Sequence, residues 1–269
     1  MRTHCSPRCL LVALPLTVAL PVLVAASSCR SGTPVQPDRS PGEPATVTTL
    51  THAGGLASPS VAGQMRDHDA HGAALREAVA RADLGAARRE AQALADYRLP
   101  GSVGTAWRKS LDAMNSAAAS VTKAKDLDEA SRRLSAVAVT CGDCHATLGG
   151  PTPIVGEPPG EGSGVGAHMK RHQWAASRLW DGLVLPSDDA WRAGARVLAG
   201  AALEPERLTP GRSPVPAIGA MAAAVHDLGR AASVTAAPVD RAAAFAELMT
   251  TCAACHERLN AAVPVDQPR

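Results

Sequence analysis

The stretch TCGDCH, Thr140 to His145, returns as TCAACH, Thr251 to His256, and the two copies take four of the chain's seven cysteines. A short pattern used twice is a sign of duplication, and a repeat has to be sought before any fold is assigned. The repeat extends well beyond the motif. Met65, His68, Leu75, Arg88, Leu94 and Ala95 are matched by Met169, His172, Leu179, Arg192, Leu198 and Ala199, a constant offset of 104 residues. Between the two motifs the offset is 111, so the second copy holds seven extra residues, placed by the sequence in LEPERLTPGRSP between Leu203 and Pro214. Whatever this chain folds into must contain the same unit twice.

Strand-forming Ile, Tyr and Phe are scarce and only 2% of the chain is aromatic, whereas Ala, Leu, Arg and Glu abound, so intrinsic propensity favours helices. Breaks at Gly85, at LPGSVG and near Asp126 divide the first half into helices over about 64–81, 84–97, 104–122 and 126–147. In the second half LPSDD, the proline-rich insertion and AAPVD separate helices over about 167–184, 188–202, 215–235 and 239–260. Short connections between helices of similar length imply antiparallel neighbours. The expected fold is all-α, two tandem up-and-down four-helix bundles over 64–148 and 167–262, each with its own core. The Pro- and Gly-rich stretch 149–166 is the linker between them, and 263–269 is a tail.

Two thiols spaced C-x-x-C can add to the two vinyl groups of one haem, and the histidine that follows is then placed to bind its iron. Cys141 and Cys144, with His145 as proximal iron ligand, make one such site; Cys252, Cys255 and His256 make the other. Four thiolates on a structural zinc are the rival arrangement, but zinc gives no reason for a histidine beside both pairs. A redox-active C-x-x-C is expected in a βαβ setting, which this sequence lacks. Two haem c groups also account for the shortage of aromatic residues, since a large flat macrocycle supplies buried apolar area. Trp107, Trp174, Trp180 and Trp191 are read as core residues.

A four-helix unit with CxxCH in its last helix resembles the cytochrome c′ fold and its low-spin relatives over about 64–148 and again over 167–260. The resemblance implies that the first helix of each unit supplies the residue facing the open side of the iron. Met65-Arg66 and Met169-Lys170 lie close to the Met-Lys pattern of the low-spin relatives, although the upstream arginine of that pattern is absent from both copies. Each first helix carries Met-x-x-His, and residues three apart share a helix face. Met65 and Met169 are therefore the favoured distal ligands, His68 and His172 the alternative, and an open iron the third possibility. His71 has no counterpart and is read as a surface residue, and the equally unmatched His226 as structural. His4 and His52 fall in the N-terminal segments.

Residues 1–28 read as a secretory signal peptide: arginines at Arg2 and Arg8, then an apolar run ending in small residues. AASSC, Ala25 to Cys29, resembles a lipobox, which makes Cys29 the candidate lipidation site and 29–63 a flexible tether rich in Pro, Gly, Ser and Thr. Losing Arg2 and Arg8 takes the formal charge from +2 to 0, so no basic field points to nucleic acid. The sequence as a whole points to a dihaem cytochrome c on the periplasmic side of a bacterial membrane, lipid-anchored, passing electrons between redox protein partners. A gas-binding sensor of NO or CO and a dihaem peroxidase-like or nitrogen-oxide-reducing enzyme are the alternatives, both requiring an open iron.

Overall fold

A computed structural model describes residues 61–99, 104–200, 203–208 and 215–262. The expected leader, Cys29, the tether up to residue 60 and the tail 263–269 lie outside these residues. Among the described residues every regular element is a helix.

The first half consists of α1 (Val61–Ala80), α2 (Leu84–Ala95), α3 (Thr105–Val121) and α4 (Leu127–Leu148). The second consists of α5 (Val165–Val184), α6 (Asp188–Leu198), the single-turn α7 (Pro205–Leu208), α8 (Pro216–Ser233) and α9 (Pro238–Ala262). The repeat read from the sequence sets these bounds: α1 and α5 are both 20 residues long, and each end of one maps onto the other. The extra residues of the second half contain α7, which the sequence reading did not anticipate. α1 starts at Val61, taking the last three residues assigned to the tether, and α6 stops at Leu198 instead of running to 202.

Local chemistry fixes the ends. The carboxylate of Asp83 accepts from the Ala86 amide at 2.8 Å and that of Asp126 from the Glu129 amide at 2.7 Å, each satisfying a donor that the first helical turn leaves open. Pro216 and Pro238 open α8 and α9, where a missing N–H costs nothing. Gly149 closes α4 with φ 79°, a left-handed conformation that glycine adopts without a Cβ penalty. The linker that follows is held against α5. Arg171 donates to the Pro159 carbonyl at 2.7 Å, and Arg178 to the Ile154 carbonyl at 2.6 Å.

Within each half the helices pack in chain order, α1 on α2 on α3 on α4, and α5 on α6 on α8 on α9. The first and last helices of each half, α1 with α4 and α5 with α9, meet only over a short stretch. Between halves α4 lies against α9, and the contact of α4 with α5 is matched by that of α9 with α1. This is the self-complementary pairing of a two-fold dimer, made inside one chain.

The expectation of two separate cores is corrected here. Leu75, Val79, Leu134 and Val137 of the first half join Leu179, Trp180, Phe245 and Met249 of the second in one continuous buried cluster. Small residues allow it. Ala130, Ser131, Ser135, Ala138 and Gly142 lie on the buried face of α4, and the Ser135 hydroxyl donates to the Ala242 carbonyl across the junction at 2.6 Å. Trp180 and Trp191 are core residues as expected, at 3% and 0% exposure, whereas Trp107 and Trp174 are only half-buried. Fully burying each large apolar side chain contributes about 1.5–3 kcal/mol.

α5 and α6 approach so closely because glycines stand in their interface. A Cβ on Gly194 would lie 2.6 Å from the Ala175 carbonyl oxygen and 2.9 Å from the Leu179 nitrogen, backbone atoms that cannot step aside. Gly194→Ala should therefore destabilise the protein by about 1–3 kcal/mol, since overpacking forces helices apart. The check is a lowered thermal midpoint with the helical circular dichroism of the native state retained.

Candidate functional site

α4 and α9 each carry their two cysteines three residues apart, on one helical face, with the histidine next in sequence. In the first half Met65, His68, Cys141, Cys144 and His145 line a common cavity, closed on its other side by Trp107, Leu111 and Met114. In the second, Met169, His172, Cys252, Cys255 and His256 line another, of about 160 Å³. All the site residues expected within the described region thus converge, five to each half. Cys29 lies outside that region.

The imidazoles on α4 and α9 are oriented by the opposite half of the molecule. His145 Nδ1 lies 2.5 Å from the Val184 carbonyl oxygen at the end of α5, and His256 Nδ1 lies 2.6 Å from the Ala80 carbonyl oxygen at the end of α1. Ala80 and Val184 are themselves equivalent under the 104-residue offset, so the two bonds are one interaction made twice. A carbonyl can only accept, so each Nδ1 carries the proton and each Nε2 keeps its lone pair. That is the tautomer of a metal-binding histidine, with the outer partner fixing the ring.

Facing these histidines, His68 and His172 are half-buried, and their buried Nδ1 and Nε2 respectively lack hydrogen-bond partners. His68 Nε2 lies 4.0 Å from Cys141 Sγ. Burial, reinforced by His145 and His71, pushes the His68 pKa down to about 4. Burial, reinforced by His168, His226 and His256, pushes that of His172 down to about 3. Both are therefore neutral near pH 7, the state in which imidazole binds metal. Burial also pushes the Cys141 and Cys252 thiols up to about 12.

The walls are shared between halves as well. Arg76 and Glu77 of α1 reach the second-half cavity, while Trp180 and Val184 of α5 line a further cavity that shares Met65, His68, Cys141 and His145 with the first. Arg76 corresponds to Trp180, so equivalent positions cross over with different chemistry. Arg76 is 8% exposed; burial lowers its pKa, opposed only in part by Glu77 and Asp181. Burial raises the Asp181 pKa, opposed by Arg178, whose guanidinium lies 2.6 Å away, and by Arg76.

The residues present fit a covalent haem: paired thiols on one face, a locked imidazole with a free Nε2 beside them, and buried donors without partners opposite. Cofactor pockets commonly enclose about 300–1,000 Å³. The two cavities, about 30 Å³ in the first half and about 160 Å³ in the second, are smaller, so a haem would require the surrounding helices to move apart. The same donors could not all serve one zinc, because the two cysteine pairs line different cavities.

Three features escaped the sequence reading. The carbonyls of Ala80 and Val184 carry no side-chain signal. His168 was passed over, although His168 and His172 stand four apart on α5, a spacing that puts two imidazoles on one face. His226 is 2% exposed with neither ring nitrogen hydrogen-bonded, and its ring centroid lies 5.4 Å from that of His168 and 5.0 Å from that of His172. His71, read as a surface residue, is half-exposed and bonded to Glu90 at 2.8 Å.

In protein whose motif cysteines are unmodified, Cys141 and Cys252 should resist alkylation by iodoacetamide at pH 8, since only the thiolate attacks and their raised pKa values keep it rare. Peptide mass mapping over time is the check, and prompt labelling of both would place them outside the interior.

Comparison of the chain with protein-family models, curated proteins and solved structures returned no match.

Proposed function

We propose that the chain is an exported dihaem cytochrome c that carries electrons between redox proteins, built as two four-helix haem units on the periplasmic side of a bacterial membrane. The observation that carries this reading is the matched pair of bonds from His145 to Val184 and from His256 to Ala80. Each leaves an Nε2 lone pair beside a C-x-x-C pair, at equivalent places in a duplicated chain.

Cys141 and Cys144 would hold one haem by thioether bonds and Cys252 and Cys255 the other, with His145 and His256 as proximal ligands. A haem so held supplies a one-electron iron couple. The Val184 and Ala80 carbonyls accept from the proximal rings, holding their orientation and raising their basicity. Met65 and Met169 are the favoured distal ligands, with His68 and His172 as alternatives from the same faces of α1 and α5. The apolar walls, including Trp180, Leu111 and Met114, exclude water and so limit the solvent rearrangement that accompanies a change of charge. The signal peptide over 1–28 and acylation at Cys29 complete the proposal, the tether giving the haem units reach above the membrane. No described helix is long and apolar enough to cross a membrane.

Intact mass of the exported protein should exceed that of the processed polypeptide by two haems, and Cys29→Ala should move it to the soluble fraction. A colourless product from a cytochrome-maturing host would overturn the haem reading.

If Met169 binds iron, Met169→Ala should open one haem per chain to CO, seen as a shifted Soret band of the ferrous protein. Opening by His172→Ala instead would assign the ligand to histidine, with a lower potential. CO binding at both irons of the unaltered protein would replace the carrier reading with that of a gas-binding protein.

A further inference from the structure

The second half contains a group of side chains that the first half lacks. His168 and His172 from α5 and His226 from α8 meet inside the helices, each offering a ring nitrogen within 4.8 Å of the others. The ring centroids of His168 and His172 are 4.2 Å apart. Buried nitrogens without partners occur on all three: Nε2 of His168, Nε2 of His172, and both nitrogens of His226. Burying polar atoms unpaired is unfavourable, so three such imidazoles in one place require an explanation.

The repeat supplies a control. The residues equivalent to His168, His172 and His226 are Gln64, His68 and Asn115. In the first half only the central imidazole is present, with the edge of the Tyr97 ring against it, and Asn115 donates to the Tyr97 carbonyl at 3.1 Å. The second half therefore has imidazole at both positions where the first has an amide.

We propose that His168, His172 and His226 bind one divalent transition-metal cation of the zinc or copper class, in the second half alone. Three neutral imidazoles suit such borderline cations, and a fourth position is left for water or another ligand. Tetrahedral ligands about 2.0–2.1 Å from zinc stand about 3.3 Å apart, so the nitrogens, which lie within 4.8 Å of one another, would have to draw in on binding. His168 and His172 line the second-half cavity, which gives the cation a route to the site. The Leu198 and Gly200 carbonyls lie close enough to His226 to attract its ring proton, although neither is in hydrogen-bonding geometry; such carbonyls commonly orient a metal-bound imidazole. Arg171 and Arg207 put positive charge near His168, but the Arg171 guanidinium is turned to the Pro159 carbonyl and Glu161. The assignment uses His172 for the cation and leaves Met169 for iron, but it does not rest on the presence of haem.

The test uses the full exported chain, stripped with a chelator and dialysed against Zn²⁺, with zinc counted by atomic spectroscopy and haem counted separately by its alkaline pyridine spectrum. One zinc per chain at micromolar affinity or better is expected whatever the haem count. His168→Gln and His226→Asn, which install the first half's own residues, should each weaken zinc binding at least about 100-fold. The complementary change, Gln64→His with Asn115→His, should raise the stoichiometry to two. Absence of zinc binding, or binding that survives both His168→Gln and His226→Asn, overturns the site. So does a His172→Ala variant that alters the haem spectrum and leaves zinc binding intact, since His172 would then belong to iron.

Discussion

The molecule depends on the junction where α4 and α9 lie against each other and each histidine of the C-x-x-C-H motifs donates to a carbonyl of the opposite half. A hydrogen bond of this kind adds only about 0.5–1.5 kcal/mol net, but leaving a buried donor without its acceptor costs about 1–3 kcal/mol. The two bonds are related by the internal repeat, so a rotation of one half against the other would break both together. The orientation of each imidazole is thus a property of the whole duplicated unit.

That junction explains where the small residues fall. A Cβ on Gly142 would lie 2.4 Å from the Leu183 carbonyl oxygen, one residue from the Val184 carbonyl that accepts from His145. The glycine between the two cysteines of the first motif is what lets α4 come that close to α5. At the equivalent place Ala253 on α9 is fully buried, so the approach to α1 tolerates a methyl group. The second half compensates with its own additions. Leu208, from the inserted α7, packs with Ile218 and Ala222 and helps close the cavity that holds His168 and His172.

Much of this was legible in the sequence because duplication makes the chain its own alignment. Helix class, the place of the insertion and the five-residue set around each motif follow from two constant offsets and from helical spacing, whereas α1 and α5 begin three and two residues before the expected starts. What was not legible lies in how the halves meet. A backbone carbonyl acting as acceptor leaves no trace in residue type, so the partners of His145 and His256 could not be read. The single core was hidden because the Pro- and Gly-rich linker reads as a spacer, yet Arg171 and Arg178 hold it against α5. His226 was set aside for having no counterpart in the first half. In a duplicated chain the unmatched residues mark where the halves have diverged, and His168 and His226 are two of them.

Divergence at those positions bears on function. On the proposed reading the two irons share their proximal chemistry, with equivalent cysteines, histidines and carbonyls, so differences between them come from the walls, Arg76 in one and Trp180 in the other, and from the far side. In the first half that side is Met65 and His68 with Tyr97 and Asn115 behind them; in the second it is Met169 and His172 with His168 and His226. A dication held by imidazoles beside an iron would favour the iron's less positive, reduced state by Coulombic attraction, strongly so where burial lowers the effective dielectric. The second haem would then sit at the higher potential, and an electron entering at the first would run toward it. Two identical haem units would carry an electron equally well in either direction; a cation in one of them would give the transfer a preferred end.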